Sequence, residues 1–264
     1  MSILQQIKEY KLEFVKNQKN KISTSEMKEK SSLNTFNGNK EFSKTLIKES
    51  NNKTSIIGEL KRSSPSAGNI IDRNIDLIKI AKQYEENGIS CISILTDEKY
   101  FNGTNRDLID VKKNISLPIL RKDFIVDEYQ IYESKMIGAN CILLILSILD
   151  EDQANLFEQI SLEIGLDVLI EVHNENEMKR AELMDSPLIG INNRNLNDFS
   201  VDIENSIRVS KAVKNGKVII AESGIKTRED IEYIKNNSPI NTFLIGESLM
   251  KSSNLSENLK NLIN

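Results

Sequence analysis

Five apolar runs in the 264-residue chain each end, on their C-terminal side, in a charged or amide side chain. They are Ile56-Ile57-Gly58-Glu59-Leu60-Lys61, Leu117-Pro118-Ile119-Leu120-Arg121-Lys122, Val168-Leu169-Ile170-Glu171, Leu188-Ile189-Gly190-Ile191-Asn192 and Val218-Ile219-Ile220-Ala221-Glu222-Ser223. A strand that is apolar along its whole length is buried on both faces, as in a parallel sheet covered by helices. An ionised group left unpaired at the end of such a strand would cost several kcal/mol. The pattern is explained if all five ends lie on one side of one sheet and converge on a single site. A parallel barrel builds its active site in that way.

The spacing extends the pattern. Eight short apolar runs occur, at Ser55–Leu60, Cys91–Leu95, Leu117–Leu120, Cys141–Leu146, Val168–Glu171, Leu188–Asn192, Val218–Ala221 and Phe243–Ile245. Their starts lie 20 to 36 residues apart, which leaves room each time for a helix and two loops. The intervening segments carry helical stripes, as in Leu77, Ile80, Ala81 and Tyr84 or Ala154, Phe157, Ile160, Ser161 and Ile164. Thr227 and Asp230 have capping-box spacing. Gly88, Gly138, Gly165 and Gly216 stand where a left-handed residue closes a helix. Pro118, Pro187 and Pro239 sit at or just before strands, where no ladder donor is lost. The expectation is an α/β fold, a single (β/α)8 TIM barrel spanning residues 1–264. Residues 1–50 form an N-terminal helical extension, with an amphipathic helix on Ile3, Ile7, Tyr10 and Phe14 followed by a polar stretch from Lys16 to Ser32. An eight-unit barrel does not need this extension. It is expected to plug one end of the barrel or to cover the mouth of the site.

Composition excludes several functions. A net charge of -4 leaves no electrostatic footprint for nucleic acid. The longest apolar run, Cys141–Leu146, is far too short to span a membrane. Met1–Lys8 lacks the uninterrupted apolar core of a signal peptide. A cytoplasmic location is therefore expected. Asn52-Lys53-Thr54 and Asn102-Gly103-Thr104 are then chance glycosylation matches. Cys91 and Cys141 each open an apolar run and read as core packing. One histidine, His173, and no Cys/His cluster exclude a zinc site of the usual spacing. His173 follows a strand end directly and reads as a loop cap.

Residues two apart on a strand share a face, so Glu59 pairs with Lys61 and Asn192 with Arg194, while Lys122 and Glu171 close two other strands. Opposite charges ~4 Å apart near a surface attract by about 4 kcal/mol, enough for such groups to hold one another ionised. Glu222-Ser223-Gly224-Ile225 and Gly246-Glu247-Ser248-Leu249 follow the last two strands. There, small residues let backbone N–H groups face an anion, at the recurrent phosphate site of this fold. Ser223, Gly224, Gly246 and the N–H of Glu247 are the expected phosphate ligands, with the Glu247 side chain turned away. Ser63–Gly68 is a polar loop that can close on a ligand through Ser64. Tyr100, Phe101 and Phe124 bring scarce aromatic rings to the same rim.

Longer motifs carry a resemblance. Glu59-Leu60-Lys61-Arg62-Ser63-Ser64-Pro65-Ser66, Leu95-Thr96-Asp97-Glu98-Lys99-Tyr100-Phe101-Asn102-Gly103, Leu120-Arg121-Lys122-Asp123-Phe124, Gly190-Ile191-Asn192-Asn193-Arg194-Asn195-Leu196 and Glu222-Ser223-Gly224-Ile225 are similar, in order, to motifs of the indole-3-glycerol phosphate synthase family. The resemblance runs from about Ser55 to the C-terminus and includes the N-terminal helix. It implies a carboxy-lyase of tryptophan biosynthesis. Such an enzyme closes, decarboxylates and dehydrates 1-(2-carboxyphenylamino)-1-deoxyribulose 5-phosphate without a cofactor. It further implies Lys122 as proton donor to the ribulose carbonyl. Lys61 and Arg194 would hold the anthranilate carboxylate with Asn192 assisting. Glu171 and Glu59 would divide proton handling and lysine orientation, in an order the spacing leaves open. A small phosphorylated molecule is the expected partner, and a monomer or weak homodimer the expected state. Two other readings remain: a phosphosugar isomerase or Schiff-base aldolase using Lys122, and a barrel that only binds a metabolite.

Overall fold

Eight parallel strands close into a barrel, with helices between successive strands. The structure is a computed structural model that describes residues 3–33, 40–50, 53–72, 75–196, 198–214, 216–252 and 254–263. The barrel strands are β1 (Ser55–Leu60), β2 (Cys91–Leu95), β3 (Ile119–Lys122), β4 (Cys141–Ile145), β5 (Asp167–Val172), β6 (Leu188–Asn192), β7 (Val218–Glu222) and β8 (Thr242–Ile245). Each pairs with its sequence neighbours, and β1 closes on β8 through Ser55–Thr242 and Gly58–Ile245. The expected fold class is thus the observed one. A two-residue antiparallel ladder, Ser63–Ser64 with Gly68–Asn69, folds the loop after β1 back on itself.

The sequence signals that set these elements act through ordinary local chemistry. Thr227 and Asp230 form the expected capping box, and Thr104–Asp107 and Asp150–Gln153 form two more. Each box satisfies N–H groups that the first helical turn leaves without a partner. Gly88, Gly138 and Gly165 end helices with φ of 82°, 92° and 83°. Gly216 also has a positive φ, but it lies past Lys211, the cap of the helix Glu204–Ser210, and turns the chain into β7. Its expected helix-closing place is therefore corrected to a loop.

β3 begins two residues later than the apolar run predicts and continues through Arg121 and Lys122. The strand can carry Arg121 because its side chain points outward into a full set of acceptors. Thr96 Oγ1, Ser134 Oγ and Glu133 Oε2 lie 3.1, 3.0 and 2.7 Å from its nitrogens. A buried charge is tolerated when it is paired and hydrogen-bonded in this way.

Residues 1–50 hold three helices within the described residues, not one helix and a polar stretch: α1 (Ile3–Lys19), α2 (Thr24–Leu33) and α3 (Glu41–Ser50). The two alternatives for the extension both occur, at opposite ends. α3 closes the N-terminal end of the barrel, where Phe42 and Leu46 are fully buried and Ser43 N donates to Asp167 Oδ2 at 3.0 Å. α1 crosses the C-terminal mouth with Ile3, Leu4 and Ile7 over the cavity. Its buried line is Ile7, Lys11 and Val15, whereas Tyr10 and Phe14 are only partly covered. Lys11 enters the interior because Asp97 and Asp123 receive it at 2.9 and 2.6 Å.

Among the described residues no helix is long and apolar enough to cross a membrane. Met1, Ser2 and Asn52 lie outside the described residues, and Asn102 of the second glycosylation match donates to Ser63 Oγ.

Candidate active site

A cavity of about 840 Å³ opens at the C-terminal end of the barrel. Strand register decides which side chains reach it. Asn192 is paired with Glu222, Glu171 with Gly190 and Leu95 with Lys122, so all of these point inward at the strands' ends. Glu59 points inward as well, since its neighbour Gly58 turns toward the Tyr84 ring of the first βα helix. All thirteen residues expected at the site line this one cavity: Glu59, Lys61, Lys122, Glu171 and Asn192, then Arg194, Ser64, Phe101 and Phe124, then Ser223, Gly224, Gly246 and Glu247. Four strands, β1, β3, β5 and β6, and the segments that follow β1, β2, β3, β6, β7 and β8 supply them. No stretch of sequence shorter than the whole barrel contains the site.

Lys122 is the hub. Its Nζ lies 3.2 Å from Glu222 Oε2, 3.6 Å from Glu171 Oε2 and 4.0 Å from Glu59 Oε2. Burial works against its charge, but three carboxylates raise its pKa well above the ordinary lysine value, Glu222 contributing most. Burial also resists ionisation of Glu59, yet Lys61, at 2.5 Å, and Lys122 hold its carboxyl below the usual range. Glu171 is likewise buried and is nevertheless held down to about 2 by Lys122, His173 and Asn192, whose Nδ2 donates to Oε1 at 3.1 Å.

Glu222 differs. Burial, with Glu171 and Glu59 nearby, pushes its carboxyl up to about 7 against the attraction of Lys122. The Lys122 ion pair is short, but neither Glu222 oxygen receives an aligned hydrogen bond. When two coupled carboxylates compete for one ammonium, the less supported one keeps the proton. Here that is Glu222.

Sequence reasoning placed Glu222 at the start of the phosphate loop and did not include it with the acid–base groups. The available signal was its position as the last residue of an apolar run, the same signal that marked Glu171. Room for these carboxylates is built into the facing strands. A Cβ at Gly190 would collide with Glu222 Oε1, and one at Gly246 with Glu59 Oε1. The absence of a side chain at Gly246 therefore admits Glu59.

The loops after β7 and β8 meet the expected form in part. Ser223 and Gly224 both have positive φ, 67° and 85°, so the turn that follows Glu222 is left-handed over two residues. Gly224 also packs closely, because a Cβ there would lie 2.5 Å from Val201 Cγ1. Gly246 precedes the short helix Glu247–Met250 and offers no side-chain cap, and Gly246, Glu247 and Ser248 all line the cavity. The Glu247 carboxylate turns to Lys251 at 2.6 Å, as expected of a group that must avoid an anion.

Two expectations need correction. The Phe101 and Phe124 rings do meet at the mouth, 6.0 Å apart, but Tyr100 stacks edge-on against Tyr10 of α1 outside the cavity lining. Glu98–Phe101 forms a helical turn that points alternate rings in different directions. His173 is not a simple loop cap. Its ring lies between Glu171 and Glu177, at 3.3 and 3.2 Å. The loop is capped instead by Asn174, whose side chain accepts from Asn176 and Glu177.

A family model described as indole-3-glycerol phosphate synthase matches residues 4–262. The chain belongs to the indole-3-glycerol phosphate synthase family. Proteins of that name from Legionella pneumophila share 46% identity over 215 residues, 81% of this chain and 83% of theirs. The Lachnoclostridium phytofermentans protein shares 48% over 208 residues, 78% and 76% of the two chains. That from Clostridium acetobutylicum shares 44% over 246 residues, 93% and 91%. Among solved structures, a thiamine phosphate pyrophosphorylase from Pyrococcus furiosus superposes with a TM-score of 0.59 at 13% identity, over 80% of this chain and 94% of that one. A tryptophan synthase alpha-subunit from the same organism gives 0.58 at 13%, over 80% and 98%. Identity that low speaks to the barrel fold, whereas the relationship to indole-3-glycerol phosphate synthases runs through nearly the whole sequence.

Proposed function

We infer that the chain is an indole-3-glycerol-phosphate synthase, a carbon–carbon carboxy-lyase of tryptophan biosynthesis. It converts 1-(2-carboxyphenylamino)-1-deoxyribulose 5-phosphate to indole-3-glycerol phosphate, CO₂ and water. The observation that carries the residue assignment is the buried ammonium of Lys122 surrounded by Glu59, Glu171 and Glu222. Those carboxylates keep Lys122 protonated, which suits a proton donor. A Schiff-base lysine must be neutral to attack a carbonyl, so the aldolase reading is disfavoured.

The substrate's phosphate occupies the Ser223–Gly224 turn and the N–H groups at Gly246 and Glu247. The aromatic ring lies against Phe101 and Phe124, with Ser64 at the loop above. Lys61 and Arg194 hold the anthranilate carboxylate. Asn192 fixes Glu171, and its Oδ1 accepts from Arg194 N at 2.9 Å. In the first step the ring carbon bearing the carboxylate bonds to the ribulose carbonyl carbon, and Lys122 gives its proton to the carbonyl oxygen. The carboxylate leaves as CO₂, and its electron pair returns to the ring. Loss of the new hydroxyl as water then needs one proton delivered to the leaving oxygen, supplied by Glu222, and one removed from the neighbouring carbon. Glu171 removes it through Oε2, the oxygen that faces Lys122 and the cavity. Glu59, held on Lys61 at 2.5 Å, orients that lysine. Glu222 joins the set as the carboxyl that carries a proton near neutral pH.

Residues 1–264 work on this reading as one barrel unit with 1–50 as its extension, in the cytoplasm and as a monomer or weak homodimer. In support, one chain supplies every site residue.

The test is direct. Purified protein with the carboxyphenylamino ribulose phosphate should generate indole fluorescence. Lys122→Met should lower kcat more than 100-fold while changing KM little, since a general acid is worth about 10²- to 10⁴-fold and acts mainly in the transition state. A variant retaining more than about a tenth of kcat would remove Lys122 from the donor role.

A further inference from the structure

We propose that His173 is a positioning residue for Glu171, and that its imidazolium, clamped between Glu171 and Glu177, fixes one oxygen of Glu171 and leaves the other as the working proton acceptor. The proposal rests on the assignment of Glu171 as the base.

The geometry separates the two carboxylate oxygens. Oε1 faces away from Lys122, toward Asn192 Nδ2 at 3.1 Å and His173 Nε2 at 3.3 Å. Oε2 faces Lys122 at 3.6 Å. A carboxylate held through one oxygen keeps its other oxygen in a set direction, and a base must be within hydrogen-bond reach of its proton in a fixed pose. His173 does not line the cavity, so whatever it contributes passes through Glu171.

The ring itself is held from behind. Its Nδ1 lies 3.2 Å from Glu177 Oε2, and that same oxygen accepts the His173 backbone N–H at 2.8 Å. Glu177 Oε1 is occupied by Asn174 Nδ2, and Asn205 Nδ2 donates to the His173 carbonyl at 3.2 Å. The strand end, the helix Glu175–Ala181 and the helix Glu204–Ser210 thus converge on one residue, the last through its backbone carbonyl. A ring between two carboxylates can face both favourably only when both nitrogens carry protons. No aligned hydrogen bond reaches Nε2, so its contact with Glu171 is a charge contact more than a directed bond.

The surrounding charges agree. His173 faces Glu171 and Glu177, while Glu171 also faces Lys122, with Glu59 and Glu222 beyond it. Three carboxylates share Lys122; Glu59 has Lys61 as a second cation and Glu171 has His173, whereas Glu222 faces Lys122. Burial disfavours the charged ring, but Glu171 and Glu177 outweigh it and raise the imidazole to about 10. Glu171 rather than Glu222 is therefore the ionised partner at neutral pH. Without the imidazolium that distinction weakens.

The chain has a single histidine, so its imidazole resonance can be followed without assignment in the intact protein. In wild type it should titrate well above the free value of about 6.5. In Glu171→Gln it should titrate at least one unit lower than in wild type, since an opposite charge within about 4–6 Å is worth one to three units. His173→Phe should lower kcat about 10- to 100-fold, the range for groups that orient a working residue from behind. KM should stay within about threefold, and the acidic limb of the kcat profile should rise by about one unit or more. His173→Gln restores a donor without the charge. It should recover part of kcat but not the acidic limb.

A wild-type imidazole that titrates near 6.5 overturns the proposal even if His173→Phe does not fold. So does a folded His173→Phe with unchanged kcat and acidic limb. Glu171→Gln measured alongside separates the two failures. If it retains more than a tenth of kcat, the base assignment falls and the proposal with it. If it is inactive while His173→Phe is normal, only the positioning role falls.

Discussion

The two ends of the barrel are built from the same eight strands and treat buried charged and amide groups in opposite ways. At the N-terminal end, Asn140 donates to Glu41 Oε2 and accepts from Lys112 and from the backbone N–H of Ile119. Asp167 there accepts the N–H of Ser43 from α3. Its charged and amide groups are spent on holding α3 in place. At the C-terminal end, Glu59, Glu171 and Glu222 crowd one lysine, and neither oxygen of Glu222 has an aligned hydrogen bond. A half-satisfied buried network is a stability liability, and such exceptions gather where function needs them. One end is built for closure and the other for reaction.

This contrast can be broken first at the closed end. Phe42→Ala empties a fully buried site in α3 and should cost about 3–5 kcal/mol of stability by chemical denaturation. kcat of the folded enzyme should stay within about twofold, because a large-to-small core change at the far end touches no reacting group. A loss of kcat as large as that of Lys122→Met would show that the two ends are coupled.

At the open end, Gly224→Val should raise KM for the phosphorylated substrate about tenfold or more, which is about 1.4 kcal/mol. Inhibition by inorganic phosphate should weaken in parallel. The reason differs from simple crowding of the anion: at φ 85° an added Cβ meets Val201 and Ile203, so the whole turn must shift. Gly216→Ala is the control. Open space surrounds Gly216, so the change should cost only about 1 kcal/mol of stability through its positive φ, with phosphate affinity intact. Normal substrate binding by the Gly224 variant would displace the phosphate from this turn.

The smallest effect tests the liability itself. Glu222 titrates near 7 in the fold against an ordinary value of 4.5. Between those values the native protein holds a proton that the unfolded chain has released. Stability therefore falls as pH rises from about 4.5 to about 7. Glu222→Gln lacks that fall. Its melting temperature relative to wild type should thus increase from pH 5 to pH 8, by an amount on the order of 1 kcal/mol in stability. A difference that stays constant with pH would remove the buried proton from Glu222.

The sequence alone determined the barrel and most of its site, because the signals involved are periodic. Apolar runs ending in Glu59, Lys122, Glu171 and Asn192 fix both strand identity and the end at which polar side chains gather, and inward pairing follows from two-residue alternation. Gly224 and Gly246 were legible for the same reason, as breaks in the pattern. What only the tertiary structure decided are contacts between segments far apart in the chain. Lys11 looks like a solvent-facing helix residue until Asp97 and Asp123 surround it. Tyr100 shares a motif with Phe101 yet packs on α1. Glu222 gains its proton from burial beside Glu171 and Glu59 against the pull of Lys122, and His173 gains two carboxylates within 4 Å, only in the closed barrel. Burial and charge pairing depend on three-dimensional distance, which a one-dimensional pattern does not encode.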